Sequence, residues 1–272
     1  MFWAWLTIAS GVLNALWSSQ IKSRVQKEGA LTFTVSMRWG VALALLPFAL
    51  LTLKTLSVKW WILSSLSGTM ECASLWALTR GARKDYYSTY ALSNTTPFFS
   101  AFWAALILKE TISSTLWMGV FLVVIGAVWL YYRGHWSWWG LAAAVIGSSS
   151  GLFSKLALPE SGFLLHSCFA FLIGAMVLTV GGLKGGSTSV EAIARNVWIN
   201  RVLIIFSAVS TVVFYWALEI APLSRVSPLV RINLVVGFLL SYFWLGEKQG
   251  WKSRGFGAVL LLCGLVLVLW KP

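Results

Sequence analysis

Residues 199–220, INRVLIIFSAVSTVVFYWALEI, form an apolar segment that is long enough to cross a bilayer as a single helix. A membrane-spanning helix needs about twenty mostly apolar residues. Segments of this kind recur along all 272 residues, of which 58% are hydrophobic and 11% are charged. Soluble domains carry about 25% charged residues. The composition therefore predicts an all-α integral membrane protein without a separate soluble domain.

The length criterion predicts ten spans, five in each half of the chain. The predicted spans cover residues 3–21, 31–53, 58–80, 85–108 and 112–131, then 137–157, 162–182, 199–220, 222–245 and 252–270. Many tryptophans fall near the span ends, where an indole ring is buried while its N–H stays hydrated. No basic region precedes the first span and no small-residue cleavage site follows it, so we interpret it as a span and not as a signal peptide.

Short landmarks repeat in the same order in the two halves. The matched pairs are Trp76-Ala77-Leu78 with Trp216-Ala217-Leu218, Leu108-Lys109-Glu110 with Leu245-Gly246-Glu247, Gly119 and Gly126 with Gly257 and Gly264, and Lys22 with Lys155. They predict two five-helix repeats, residues 1–134 and 135–272, within one membrane domain. A repeat with an odd number of spans places its second copy upside down, as in many secondary transporters.

These landmarks carry a resemblance to a known family. The sequence Leu245-Gly246-Glu247, followed by Trp251 and a glycine-spaced helix, resembles the signature of EamA-type transporters of the drug/metabolite transporter superfamily. Pro97 and Arg38 also match common family positions. The resemblance implies ten helices around a central cavity, with spans five and ten at the periphery and the substrate near the midplane. It also implies a bacterial inner-membrane location.

The charge of the chain predicts its topology and excludes some partners. The net charge of +13 is spread over short connections and forms no basic stripe, so it does not predict nucleic-acid binding. Most Lys and Arg residues outside the spans follow the odd-numbered spans. The positive-inside rule therefore places those connections in the cytoplasm and both termini outside. The family resemblance implies the opposite orientation.

Polar residues inside the spans are the candidate substrate contacts. Glu71 is the one acidic residue well inside a predicted span, and Arg231 is its basic counterpart in span nine. A charge there costs roughly 2.5–3.5 kcal/mol, so it needs a partner, a wet cavity or protonation. We expect the two residues to border one cavity and to pair in some states. The full set of predicted substrate-binding residues is Asn14, Trp17, Ser18, Arg38, Ser67, Glu71, Tyr87, Tyr90, Asn94, Thr211, Tyr215 and Arg231.

Several of these residues have a second interpretation. Glu71 in neutral form would instead bond a neighbouring helix, Arg231 would bind a lipid headgroup, and Trp17 would serve packing. Arg38 is also a candidate for attracting an anion at one mouth of the pathway. His166, near the start of span seven, is expected at the membrane interface, and Glu110 and Glu247 are interpreted as structural landmarks.

The sequence offers no support for catalysis. Cys72, Cys168 and Cys263 have no metal-ligand spacing, and no catalytic triad, zinc motif or phosphate-binding loop is present. We therefore predict a secondary transporter or exchanger of a small polar metabolite, without cofactor or metal, acting as a monomer or homodimer among membrane lipids. Opposite charges on Glu71 and Arg231 favour a zwitterion such as an amino acid. The alternatives are a non-transporting scaffold subunit and a flippase of a lipid-linked substrate.

Overall fold

The computed structural model describes residues 1–132, 134–184, 186, 188–243 and 251–270. The landmark Leu245-Gly246-Glu247 and the side chain of Lys22 lie outside this part. Within it the secondary structure is helical, without strands. The helices are α1 (Phe2–Ser18), α2 (Ile21–Glu28), α3 (Ala30–Leu50), α4 (Val58–Lys84), α5 (Tyr86–Ser93), α6 (Thr96–Leu106), α7 (Ser114–Tyr131), α8 (Trp138–Ser161), α9 (Phe163–Lys184), α10 (Val190–Ile199), α11 (Arg201–Ile220), α12 (Leu223–Leu229), α13 (Ile232–Phe243) and α14 (Trp251–Leu269).

Each predicted span coincides with one helix or with a broken pair of helices. Spans four and nine are the broken ones, because α5 ends before Asn94 and α12 ends before Val230. Proline contributes to both breaks. Pro97 occupies the first turn of α6, where its missing N–H costs nothing, and Pro228 removes a donor near the end of α12. A hydropathy reading treats each pair as one continuous span, so it misses the breaks.

Two helices lie where connections were expected. Helix α2 follows α1 after a bend at Ser19 and Gln20, and Gly29 ends it with φ 83°. Helix α10 fills the connection after span seven. Ser189 starts α10 by accepting a hydrogen bond from the Ala192 N–H.

Seven segments are long and apolar enough to cross a membrane: α3, α7, α8, α9, α11, α14 and the combined stretch Leu223–Phe243. The other candidate segments are less clear by these criteria alone. Helix α1 has 17 residues, α4 has 27 residues with several charges, and α5 and α6 are both short. The described part is therefore an all-helical membrane fold in which length and hydropathy identify seven of the ten predicted spans.

Several of the main helix pairings recur when the two halves are exchanged. Helix α4 of the first half packs on α8 of the second, and α11 of the second half packs on α1 of the first. Equivalent helices also meet each other directly, as α3 with α9 and α7 with α14, and the broken spans four and nine meet through α6 and α12. Such an arrangement is what a two-fold relation between two copies produces.

Glycines allow α7 and α14 to touch along their backbones. A Cβ at Gly126 would lie 2.7 Å from the carbonyl oxygen of Gly257, and a Cβ at Gly264 would lie 2.7 Å from that of Gly119. The matched landmarks of the two halves are therefore packed against each other. The outer faces of both helices expose apolar side chains such as Phe121. Small residues at the contact and apolar residues outside are typical of helices packed within lipid.

Candidate substrate cavity

A polar cavity of about 230 Å³ lies between the two halves of the chain. Of the described helices, all except α7, α10 and α14 contribute to its wall. Its lining contains most of the predicted site residues: Asn14, Trp17, Ser18, Arg38, Glu71, Tyr90, Asn94, Thr211, Tyr215 and Arg231. Ser67 and Tyr87 do not line it. The polar positions scattered over six predicted spans thus converge on one space.

Arg38 and Glu71 form an ion pair at this cavity. The Arg38 Nη2 donates to Glu71 Oε1 at 2.8 Å, and the guanidinium lies 4.4 Å from the centre of the Phe171 ring. Arg38 is only 5% exposed and lines the central cavity, where its guanidinium is paired with Glu71. The expected pairing of Glu71 with Arg231 is absent in this conformation. Neighbouring α3 and α4 bring Arg38 to Glu71, and a buried guanidinium needs such a partner.

Arg231 lies at the break between α12 and α13 and bonds to the break between α5 and α6. Its Nη1 donates to Asn94 Oδ1 at 2.8 Å, while the Asn94 Nδ2 donates to the Tyr90 carbonyl oxygen at 2.6 Å. Each end of the Asn94 amide therefore has a fitting partner. The Nε of Arg231 is buried without a partner, and no carboxylate forms a salt bridge with Arg231 in the described residues.

Ser67 belongs to a buried polar network behind the cavity wall. Its hydroxyl lies 2.6 Å from the Ser154 hydroxyl, which donates to the Tyr215 hydroxyl at 3.4 Å. One turn earlier on α4, Ser64 lies 3.0 Å from His166 Nδ1. His166 is fully buried and its ring packs edge-on against Tyr215. We expected His166 at the membrane interface, and the structure shows it buried between helices, because α4 and α11 pack against the face of α9 that carries it.

Some polar residues of the cavity are outside the predicted set of substrate-binding residues. Asn233 donates to Asn14 Oδ1 at 3.1 Å and joins α13 to α1. Ser10 and Ser210 each donate to the other's carbonyl oxygen, at 2.8 and 2.9 Å, where α1 crosses α11. Asn233 was detectable as an amide within an apolar span, two residues after Arg231. A single serine in a span carries no comparable signal.

Glu110 and Lys155 hold the corner between α11 and α12. The Glu110 carboxylate accepts from the backbone N–H groups of Leu223 and Ser224 at 2.9 and 3.1 Å. The Lys155 Nζ donates to the carbonyl oxygens of Leu218 and Ala221 at 2.7 and 2.9 Å. Groups left unpaired at the helix ends are satisfied in this way. Both landmark residues therefore fix the segment that leads into the broken helix carrying Arg231.

The two halves of the chain each match a known protein family. The EamA-like transporter family matches the chain twice, over residues 1–132 and 135–270. The chain belongs to the EamA-like transporter family. The uncharacterized transporter in the cobO 3' region of Sinorhizobium sp is 25% identical over 138 residues, which cover 46% of this chain and 95% of that protein. A solved crystal structure superposes with a TM-score of 0.73 at 14% identity, over 97% of this chain and 98% of that one.

Family membership and the apolar helices make this EamA-like chain a membrane transporter, integral to the bacterial plasma membrane. The resemblance read from the short landmarks is thereby confirmed. The family is one of transporters. The solved structure supports the fold alone, because its sequence identity is low.

Proposed function

We propose that this EamA-like protein is a secondary transporter of a small anionic or zwitterionic metabolite. In this proposal ten spans form two inverted five-helix repeats that rock about the central cavity. The observation that best supports this proposal is the hydrogen bond between Arg231 and Asn94. These residues are 137 positions apart and are equivalent in the repeat, yet they touch. Equivalent residues of two symmetric copies meet only near the two-fold axis, and in an inverted repeat this axis lies in the membrane plane.

The charges of the cavity support an anionic group on the substrate. The Nε of each arginine is buried without a partner. Arg38 has the carboxylate of Glu71 as its counter-charge, whereas Arg231 has only the neutral amide of Asn94. A substrate carboxylate or phosphate at Arg231 would supply the missing acceptor and the missing charge. The Glu71 side chain keeps 31% of its surface exposed. An ammonium group on the same substrate would find its counter-charge there.

The size of the cavity supports a small substrate. Its volume of about 230 Å³ lies below the roughly 300–1,000 Å³ typical of sites for drug-sized ligands. Discontinuous helices that meet at such a site are common in secondary transporters, where their ends and unpaired backbone groups face the substrate. Motion of the two halves around this site would expose it to each side of the membrane in turn.

The first test identifies the substrate and the role of Arg231 together. Purified protein is screened by thermal shift against amino acids, amines, nucleobases and phosphorylated metabolites, because a bound ligand raises the melting temperature. A stabilising compound is then assayed for uptake into proteoliposomes. In Arg231→Gln we expect affinity to fall by about tenfold to a hundredfold, the effect of losing a charged hydrogen bond of about 1.5–3 kcal/mol.

Arg201→Gln is the matched control. Arg201 is exposed at the start of α11, with its guanidinium 4.7 Å from the Trp198 ring centre and away from the cavity. The control should bind and transport like the parent. Uptake by folded Arg231→Gln at the parent rate would contradict the assignment of Arg231 as substrate anchor.

A further inference from the structure

A second cavity of about 410 Å³ adjoins the central one and is walled by tyrosines. We call it the tyrosine chamber. Its lining includes Tyr86, Tyr87, Tyr90 and Tyr131. It lies among the C-terminal ends of α1, α7 and α13 and the N-terminal ends of α5 and α14. The connections that follow the odd-numbered spans lie at this end of the molecule. Tyr87, predicted as a substrate contact, therefore faces the chamber and not the central cavity.

Tyr90 stands between the two cavities. Only Tyr90, Ser18 and Asn233 line both spaces among the described residues. The Tyr90 ring stacks on Tyr86 at 5.4 Å and meets Tyr131 edge-on at 5.2 Å. Its side chain also interacts with Ser18 of α1. Tyr90 is 8% exposed, so it is buried at the place where the two cavities adjoin.

We propose that Tyr90 is the gate between the central cavity and the tyrosine chamber, and that the substrate enters or leaves through this chamber. The proposal rests on the proposed transport function. The chamber is then the passage at the end of the molecule that carries the connections following the odd-numbered spans. In this proposal the Tyr90 ring moves away from Tyr131 and so joins the two spaces.

Hydrogen bonds connect this gate to the substrate anchor. Asn94 follows the last residue of α5 and bonds to the Tyr90 carbonyl oxygen through both its backbone N–H, at 3.2 Å, and its side-chain Nδ2, at 2.6 Å. The other end of the same amide holds Arg231. An anion that draws Arg231 away from Asn94 therefore acts directly on the helical turn that carries Tyr90. Occupancy of the central cavity and position of the gate are coupled in this way.

Cysteine labelling tests the gate without requiring a known substrate. Cys72 and Cys168 are buried and Cys263 is exposed, so a Cys263→Ala background leaves little reactive thiol. Ser207→Cys places a reporter at the central cavity, and Ser19→Cys places a control in the tyrosine chamber. A charged, membrane-impermeant methanethiosulfonate is added to sealed vesicles of each orientation. The labelling rate of each reporter is then measured with Tyr90, Tyr90→Phe, Tyr90→Leu or Tyr90→Ala.

Loss of the ring should expose the central reporter. We expect Tyr90→Ala to raise the labelling rate of Ser207→Cys at least about tenfold from the chamber side, because access no longer waits for a buried ring to move. Tyr90→Phe keeps the ring and should leave the rate within about threefold of the parent. Ser19→Cys should label equally in all variants. Tyr90→Leu retains more packing than alanine, and it replaces Tyr90→Ala if the alanine variant does not fold.

The outcomes separate the gate from the transport function. Equal labelling of Ser207→Cys with the parent tyrosine and with folded Tyr90→Ala or Tyr90→Leu would overturn the gate, even if transport is observed. Faster labelling without transport of any tested metabolite would keep the gate and count against the proposed function. Faster labelling from the opposite side would overturn the assignment of the chamber as the passage.

Discussion

At the scale of single residues, the cavity contains two arginines with different environments. Arg38 has a carboxylate partner and an aromatic ring beside it, while Arg231 has one amide oxygen. A buried charge without compensation is costly. The first arginine is therefore best explained as structural and the second as available to a ligand. This division gives Glu71 a stabilising role in addition to any contact with substrate.

The ion pair makes a prediction about stability. Glu71→Gln leaves the Arg38 guanidinium buried without its counter-charge, which we expect to lower the free energy of unfolding by about 3 kcal/mol. The double variant Arg38→Gln/Glu71→Gln removes both charges and should be more stable than Glu71→Gln alone. Denaturant unfolding in detergent measures both. A double variant that is less stable than Glu71→Gln would contradict the account.

Single residues also show which features of the cavity could be predicted from the sequence and which could not. Polarity within apolar spans was sufficient to find residues of the lining such as Asn14, Asn94 and Arg231. It was not sufficient to find which residues bond to each other, because partner choice depends on how helices far apart in sequence pack. Arg38 was therefore assigned to a pathway mouth and Glu71 to Arg231. The surroundings of His166 were misjudged for the same reason.

At the scale of helices, close approach depends on glycines at crossings. Gly68 of α4 and Gly174 of α9 face each other so closely that a Cβ on either would overlap the backbone of the other helix. Gly181 lies seven residues later on α9 and has nothing within 4 Å of its Cβ position. Hydropathy located both helices but said nothing about which glycine is at a contact. The breaks in spans four and nine escaped detection in the same way.

The two glycines of α9 form a matched pair for mutation. Gly174→Ala forces α9 away from α4 and should destabilise the protein by about 1–3 kcal/mol or more, as overpacking does. Gly181→Ala should be neutral or slightly stabilising, because alanine favours the helix by up to about 1 kcal/mol. Thermal unfolding of the two variants in the same detergent gives the comparison. Equal destabilisation would show that the α4–α9 contact is not as described.

At the scale of the whole molecule, several of the main helix pairings recur when the two halves are exchanged. The α1–α11 and α4–α8 pairs correspond to each other, and the α7–α14 pair joins equivalent helices. The order of the repeated landmarks predicted two related halves. The sequence did not predict that Asn94 and Arg231 would touch, because a repeat in the chain does not reveal the position of its axis. That contact now locates the proposed axis within the cavity.

The most direct test of the inverted repeat determines on which side of the membrane each of the two copies begins. In the Cys263→Ala background, a cysteine tag before Met1 marks the start of the first copy, and His135→Cys, exposed ahead of α8, marks the start of the second. Each is labelled with an impermeant maleimide in sealed vesicles of known orientation. Five spans in the first copy predict labelling from opposite faces, with the tag outside if the charge distribution sets the topology. Labelling of both positions from the same face would contradict the inverted repeat.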